Sequence, residues 1–495
     1  MNKKTGFLVF AIFFTGVFLR IFHLGQHSFW CDELLAISLG KHSIKWMIDY
    51  ITFNDAHPPL FYLLVHFWLY FGESEIILRI LPLIFGLLCI PSGYILGKNF
   101  GNEKTGLLFS LFISLSPPFI LWSQILKSYT LLTFLTILSF IAFIKLLKTE
   151  NKKFFSIFCL SNILILYTHN FGFIVILIQI LTLLTLKRMN KKFVFSFFFI
   201  FLFYIPWILK IPYQIKFTLG VRRPIPLLLK LPYTIFYFFF GETLNPFNFK
   251  IVIPSLIIYL SIFVISLNKL SKMQKEKKYL MIISLILPLF FVFFPSTVPQ
   301  NLIFIAIFWF LFFTVGIQEL NYKNLLIYLN FIFLLPSLIF YYLNDISQYH
   351  DVSKLIPFRE MFKKIQEIEK EGDIIITTEK YDNEIITPLV WYYKGKNKII
   401  RIKDKNNLKI LSDILYEKQK KSLRFFLIFD FINNPDISKE LKKFFFGDEY
   451  EKLYERKYIF NEKLLSRLKG MREYYYLVEV YLFQKKFDDI YSIIP

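Results

Sequence analysis

The stretch Ile76–Gly97 reads IILRILPLIFGLLCIPSGYILG and ends against Lys98. Its 22 residues carry one charge, Arg79. About 20 such residues in a helix cross a hydrocarbon layer about 30 Å thick. A bilayer core offers no water to backbone N–H and C=O groups, so a run of this kind has to be helical. Ten more apolar runs flank it, at 6–22, 106–122, 129–147, 154–168, 171–186, 193–209, 251–268, 279–294, 301–317 and 324–342. Together the eleven runs predict an α-helical polytopic membrane protein. The composition agrees, with 55% hydrophobic residues, 19% charged residues and 63 phenylalanines. A soluble domain is about 45–50% apolar and about 25% charged. Met1–Arg20 lacks a small-residue cleavage site and is followed by further runs, so it reads as the first span and not as a removed leader.

The formal net charge of +22 could suggest a nucleic-acid partner. Its distribution argues against one, because the lysines cluster in short loops between apolar runs. Lys3 and Lys4 precede the first run. Lys98 and Lys104 follow the second, and Lys148, Lys152 and Lys153 the fourth. Lys187, Arg188, Lys191 and Lys192 follow the sixth, Lys269 through Lys278 the eighth, and Lys323 the tenth. Positive loops stay on the cytoplasmic side. This predicts a multi-pass protein of the cell membrane with a cytoplasmic N-terminus and everything after Asn344 outside. Of three cysteines, Cys31, Cys89 and Cys159, none lies in the C-terminal part, which therefore has no disulfide framework.

Two domains are expected. Residues 1–343 form the membrane domain, with long outer loops at 23–75 and 210–250 that are too rich in Trp, Tyr and apolar residues for disorder. Within the first loop, Pro59–Phe71 is apolar but too short to span. Residues 344–495 turn charged and alternating. Strands are expected at Ile374–Thr378, Ile399–Ile402, Arg424–Phe429 and Tyr474–Phe483, with helices at Pro357–Glu371 and Ser438–Phe446. That pattern makes a small α/β extracytoplasmic domain. It has no glycine-rich phosphate loop.

The chemistry-bearing residues gather on the outer side. The first outer loop contains Phe29-Trp30-Cys31-Asp32-Glu33. Asp32 and Glu33 are either functional carboxylates at a membrane boundary or the cap and first turn of the next helix. The same loop continues Asp55-Ala56-His57-Pro58-Pro59-Leu60-Phe61-Tyr62. The two prolines start a helix, and His57 either binds a phosphate or carboxylate or satisfies a backbone group. After the third run comes Ser123-Gln124-Ile125-Leu126-Lys127-Ser128-Tyr129. Lys127 defies the charge rule there, either as a phosphate ligand or as a chain snorkelling to lipid headgroups. Tyr167-Thr168-His169-Asn170 needs polar surroundings. In the second outer loop, Arg222 and Arg223 offer forks that match phosphate oxygens. Asp32, Glu33 and His57 carry the donor atoms a divalent ion takes, but their spacing specifies none. No zinc or nucleophile motif is present.

Five of these motifs occur in order: Trp30-Cys31-Asp32-Glu33; His57-Pro58-Pro59-Leu60-Phe61-Tyr62; Leu78-Arg79-Ile80-Leu81-Pro82; Ser116-Pro117 through Ser123-Gln124 to Tyr129; and Tyr167-Thr168-His169. In this the chain resembles the GT-C superfamily of membrane glycosyltransferases, in the branch of protein O-mannosyltransferases and lipid A aminoarabinose transferases (glycosyltransferase family 39 and relatives). The resemblance is strongest over residues 1–185. It implies a polyprenyl-phosphate sugar donor, a lipid, glycan or protein acceptor, and inverting hexosyl or pentosyl transfer on the outer face without a nucleotide. It also implies that Asp32, with Glu33 beside it, is catalytic, and that His57, Lys127, Tyr129, Arg222 and Arg223 attend the donor phosphate. Tyr62, Arg79, Gln124 and His169 are further pocket candidates. Where relatives commonly read Glu-Ala-Arg-x-Tyr, this chain has Ile125-Leu126-Lys127-Ser128-Tyr129, and Gln300-Asn301 stands where an Arg is frequent. Those departures leave a second class open, an inactive or diverged scaffold, or a protein that binds or transports lipid-linked sugar. The spans hold few of the ionisable residues that a transport path needs.

Overall fold

A computed structural model describes residues 3–220, 226–294, 297–318, 323–344, 348–349, 352–378, 385–404, 424–430, 435–446, 450–462 and 474–485. The chain divides into two compact units, Met1–Gly25 with Leu39–His350, and Gln26–Ser38 with Asp351–Pro495.

The first unit is helical. Among the described residues, six helices are long and apolar enough to cross a membrane: α1 (Lys3–Ile21), α5 (Glu75–Phe100), α8 (Tyr129–Leu146), α11 (Lys191–Ile208), α14 (Phe249–Ser271) and the segment Pro299–Ile317. The last begins as a 3-10 turn and continues as α16 (Ala306–Ile317). A seventh is the broken pair α6 (Glu103–Leu115) and α7 (Pro117–Ser123), bent by 59°. The chain is thus a multi-pass membrane protein. The other four expected runs are also helical, in α9 (Lys152–Thr168), α10 (Phe173–Thr185), α15 (Lys275–Phe291) and α17 (Lys323–Tyr342). The remaining helices of this unit are α3 (Ile44–Asn54), α4 (Leu60–Trp68), α12 (Ile211–Gly220) and α13 (Leu227–Phe240).

Small residues let α5 and α6 approach closely. A Cβ on Gly97 of α5 would lie 3.0 Å from Gly106 Cα of α6. In lipid, helices associate by packing, and glycines allow this approach. The bend between α6 and α7 has a local cause. Pro117 and Pro118 have no amide hydrogen, so the carbonyls of Ile113 and Ser114 lose their helical donors. Arg20, fully buried in α1, replaces them: its Nη2 donates to Ile113 O and its Nη1 to Ser114 O, each at 2.9 Å. Gln124, just past α7, does the converse for the end of α1. Its amide donates to the carbonyls of Leu19, Arg20 and Phe22, and its oxygen accepts from Tyr341.

The second unit holds a mixed sheet in the order β2-β1-β3-β5-β4. β1 (Ile374–Thr377) pairs in parallel with β2 (Lys398–Arg401) and β3 (Arg424–Asp430). β5 (Tyr474–Lys485) runs antiparallel to β3 and to β4 (Tyr450–Glu462). α18 (Phe358–Ile368), α19 (Pro388–Tyr392) and α20 (Pro435–Phe445) complete it. Ile376, Phe425, Leu427, Phe429, Leu441 and Tyr481 are among its core residues.

The expected domain boundary needs one correction. Gln26–Ser38, part of the segment 23–75 expected as the first outer loop, belongs to the second unit and not with residues 39–343. Phe29 is fully buried, edge-on to Trp391, and its amide donates to Tyr392 Oη at 2.6 Å. Ser28 Oγ accepts from Arg359 N, Gln26 O from Arg359 Nη2, and Ser38 Oγ from Ile386 N. An apolar anchor with these bonds around it ties the segment in.

Candidate functional site

α3 ends at Asp55, whose extended backbone breaks the helix. Pro58 and Pro59 then lead into α4, with Pro59 at its N-cap as the double proline predicts. The short turn between them carries the site. Asp55 Oδ1 accepts from Ala56 N at 2.6 Å and faces His57 Nδ1 at 2.9 Å, and Oδ2 accepts from Tyr62 Oη of α4. The turn's carbonyls are met from two other places. Gln214 of α12 donates to Ile51 O at 3.1 Å and His57 O at 3.0 Å. Asn170 donates to Ala56 O at 2.7 Å and to Gln214 Oε1 at 3.0 Å.

His169 caps the end of α9, and its ring centroid is 5.0 Å from that of His57, nearly perpendicular. Its Nδ1 accepts from Phe171 N at 3.1 Å, so in the neutral ring the proton is on Nε2. That Nε2 is buried and has no hydrogen-bond partner among the described residues. Tyr129 opens α8, with its ring 6.1 Å from His169 and its hydroxyl 3.2 Å from Asn301 Oδ1. Lys127 is buried in the turn between α7 and α8, and its charge acts on both Asp55 and His169.

The electrostatics follow from this arrangement. Burial, the largest single influence, would raise the Asp55 carboxyl, but His57, Lys127 and the Tyr62 hydroxyl together outweigh it and hold the carboxyl down to about 2. Burial first, then the neighbouring His57 and Lys127, pushes His169 well below the ordinary imidazole value, and Asp55 only partly opposes them. The result is an ionised carboxylate beside a lysine and a neutral imidazole whose N–H lacks an acceptor. An unmet N–H and an ammonium are groups that can donate to anionic oxygens.

Of the expected residues, this geometry brings together His57, Tyr62, Lys127, Tyr129 and His169. Sequence reasoning missed Asp55 and Gln214, while Asn170, expected to need polar surroundings, finds them in Ala56 O and Gln214 Oε1. Asp55 had a signal, since it stands two residues before His57 and seven before Tyr62. Arg79 and Gln124 serve the bundle, Arg79 by donating to Leu24 O at 3.2 Å. Arg222 and Arg223 lie outside the described residues.

Asp32 and Glu33 belong to the second unit, in the first turn of α2 (Cys31–Lys41). Glu33 is buried, and its Oε2 accepts from Trp30 N at 3.4 Å while its own amide donates to Trp30 O. This reciprocal pair is how an acidic residue caps its own helix. Asp32 is half-buried. Among the described residues, no group of three or more His, Cys, Asp or Glu side chains could hold a metal ion.

No family model matches the chain, and no curated protein does. Solved structures do. ArnT from Cupriavidus metallidurans in the apo state matches with a TM-score of 0.60 at 9% identity, over 98% of this chain and 98% of that one. ArnT bound to undecaprenyl phosphate matches with a TM-score of 0.57 at 9% identity, over 99% of each chain. The oligosaccharyltransferase AglB from Archaeoglobus fulgidus, in complex with an inhibitory peptide and a dolichol-phosphate, matches with a TM-score of 0.53 at 10% identity, over 86% of this chain and 69% of that one. These are GT-C glycosyltransferases. The chain has the GT-C fold. The resemblance carried by five short motifs thus extends to the architecture of nearly the whole chain. Within the GT-C bundle, the His-Pro-Pro turn, the Lys127 turn and the His169 turn meet at the cluster around Asp55.

Proposed function

We propose that the chain is an inverting glycosyltransferase that moves a monosaccharide from a polyprenyl-phosphate donor to an acceptor at the extracytoplasmic face. The observation that carries this reading is the cluster of buried Lys127, His169 and Tyr129 with half-buried His57 around buried Asp55 in a GT-C bundle. Similar structures that hold undecaprenyl phosphate and dolichol-phosphate support it. The topology proposed is eleven spans, with the N-terminus cytoplasmic and the C-terminal residues outside, as the basic loops indicate.

In the proposed reaction, Asp32 takes the proton of an acceptor hydroxyl as its oxygen attacks the anomeric carbon. The bond from that carbon to the phosphate oxygen breaks on the opposite side, and the electron pair leaves with the lipid phosphate. Charge grows on the phosphate as it departs. Lys127 and the His169 Nε2–H stabilise that charge. With Nδ1 of His57 committed to Asp55, Nε2 is its atom for the phosphate. General-base help is worth about 10²–10⁴-fold, and fixed donors aimed at developing charge are frequently the larger contribution. Asp55 is a poor candidate for the base, because a carboxyl held at about 2 scarcely accepts a proton at neutral pH. Its part is to hold His57.

The test is Asp32→Asn assayed with a polyprenyl-phosphate sugar in membranes. Transfer should be lost while the protein remains folded and inserted. Full transfer by that variant would remove Asp32 from the mechanism.

A further inference from the structure

A cleft of about 470 Å³ opens between the end of α8, the turn after α10 and the start of α15. Lys148, Arg188, Lys275 and Lys277 line it against one carboxylate, Glu276. Arg188 Nη2 pairs with Glu276 Oε1 at 2.9 Å, which uses that carboxylate. Lys277 Nζ donates to Phe100 O at 2.7 Å, a bond that fixes the ammonium at the end of α5. Burial first and the Lys148 charge second lower the Lys277 pKa from its ordinary value, with Glu276 pulling the other way. Like charges are therefore held close enough to repel around an open space. One wall of that space is apolar, from Leu147 and Leu280. The first turn of α15 also opens here without a side-chain cap, which adds to the positive field already set by the four cations.

We propose that this cleft binds the phosphate of an anionic membrane lipid, with the cations on the headgroup and Leu147 and Leu280 along the start of the acyl chains. Basic pockets between membrane helices take anionic headgroups in this way. Charge placement for topology does not by itself create such a cleft. Lys152 and Lys153, in the same group of basic loops, are exposed and are not among its lining residues. The site uses none of the residues assigned to sugar transfer and stands or falls independently of that reaction.

The experiment is calorimetric titration of the detergent-solubilised full chain with dioctanoyl phosphatidylglycerol. K148Q/K275Q should weaken binding roughly thirtyfold, as the product of a roughly fivefold to sixfold effect from each lysine. K152Q/K153Q, which removes the same charge outside the cleft, should leave it unchanged. Both variants should keep the wild-type helical circular dichroism and elution volume, and the single variants K148Q and K275Q stand in should the double fail to fold. Equal weakening in the two doubles would overturn the site in favour of diffuse attraction. Inorganic phosphate that competes as well as the lipid would overturn the lipid assignment, and dioctanoyl phosphatidylcholine binding equally tightly would overturn the role of charge.

Discussion

His57 Nδ1 sits 2.9 Å from Asp55 Oδ1 in a turn whose carbonyls are gripped by Gln214 and Asn170. The pair fixes the orientation of the imidazole and couples it to a buried carboxylate. Because the carboxyl is held at about 2 against an ordinary 3.8, it contributes stability that is present above the unfolded value and lost as pH falls through the folded one. The apparent melting point of solubilised protein, taken at a fixed scan rate, should therefore drop between about pH 5 and about pH 1. Asp55→Asn should be less stable at neutral pH by roughly 2–3 kcal/mol and flatter across that acid window. A variant that tracks the wild type at every pH would show that the carboxylate carries no such coupling.

Lys127 is the cation of the cluster, and its removal should fall on the donor. Lys127→Ala should raise the KM for the polyprenyl-phosphate sugar roughly 10–100-fold, the worth of one charge-assisted bond, and leave the acceptor KM near its original value. Lys127→Arg should recover most of the difference. Matched losses for donor and acceptor would place Lys127 outside the phosphate site.

The two carboxylates of the Asp32-Glu33 pair should separate. Glu33 is buried and bonded to the start of its own helix, so Glu33→Ala should cost roughly 1 kcal/mol of stability and spare most of the transfer rate. Asp32→Asn should do the reverse. Loss of transfer with unchanged melting in the Glu33 variant would return that residue to the chemistry.

What the sequence disclosed depended on the range of the interaction. Apolar runs such as Ile76–Gly97 declare themselves because lipid leaves one conformation open, and each of the eleven coincides with helix. Ile374–Thr377 and Arg424–Asp430 are legible as strands because burial on both faces makes them nearly all apolar. β4 is not, since Glu451-Lys452-Leu453-Tyr454-Glu455-Arg456-Lys457 is an edge strand, where charge protects against further pairing. Motifs within one turn, such as His57 with Pro58 and Pro59, can be read directly. Gln214, 157 residues from His57, cannot, because nothing local marks an amide that serves another loop. The assignment of Gln26–Ser38 to the second unit is hidden for the same reason, since Tyr392 and Arg359 are far along the chain.

Arg20 gives the most discriminating test of the bundle. A fully buried guanidinium inside a membrane helix is costly unless it is used, and here it supplies donors to the carbonyls that Pro117 and Pro118 orphan. Arg20→Met removes those donors and leaves two buried carbonyls unmet, at about 1–3 kcal/mol each. The variant should lose several degrees of apparent melting temperature. In a P117A/P118A background the restored amides can reach Ile113 O and Ser114 O themselves, so the same Arg20→Met change should cost far less. The double-mutant cycle should show a coupling of roughly 2–6 kcal/mol, the cost of the two carbonyls. Additive losses would mean that Arg20 stabilises the bundle by some route other than the carbonyls at the α6–α7 bend.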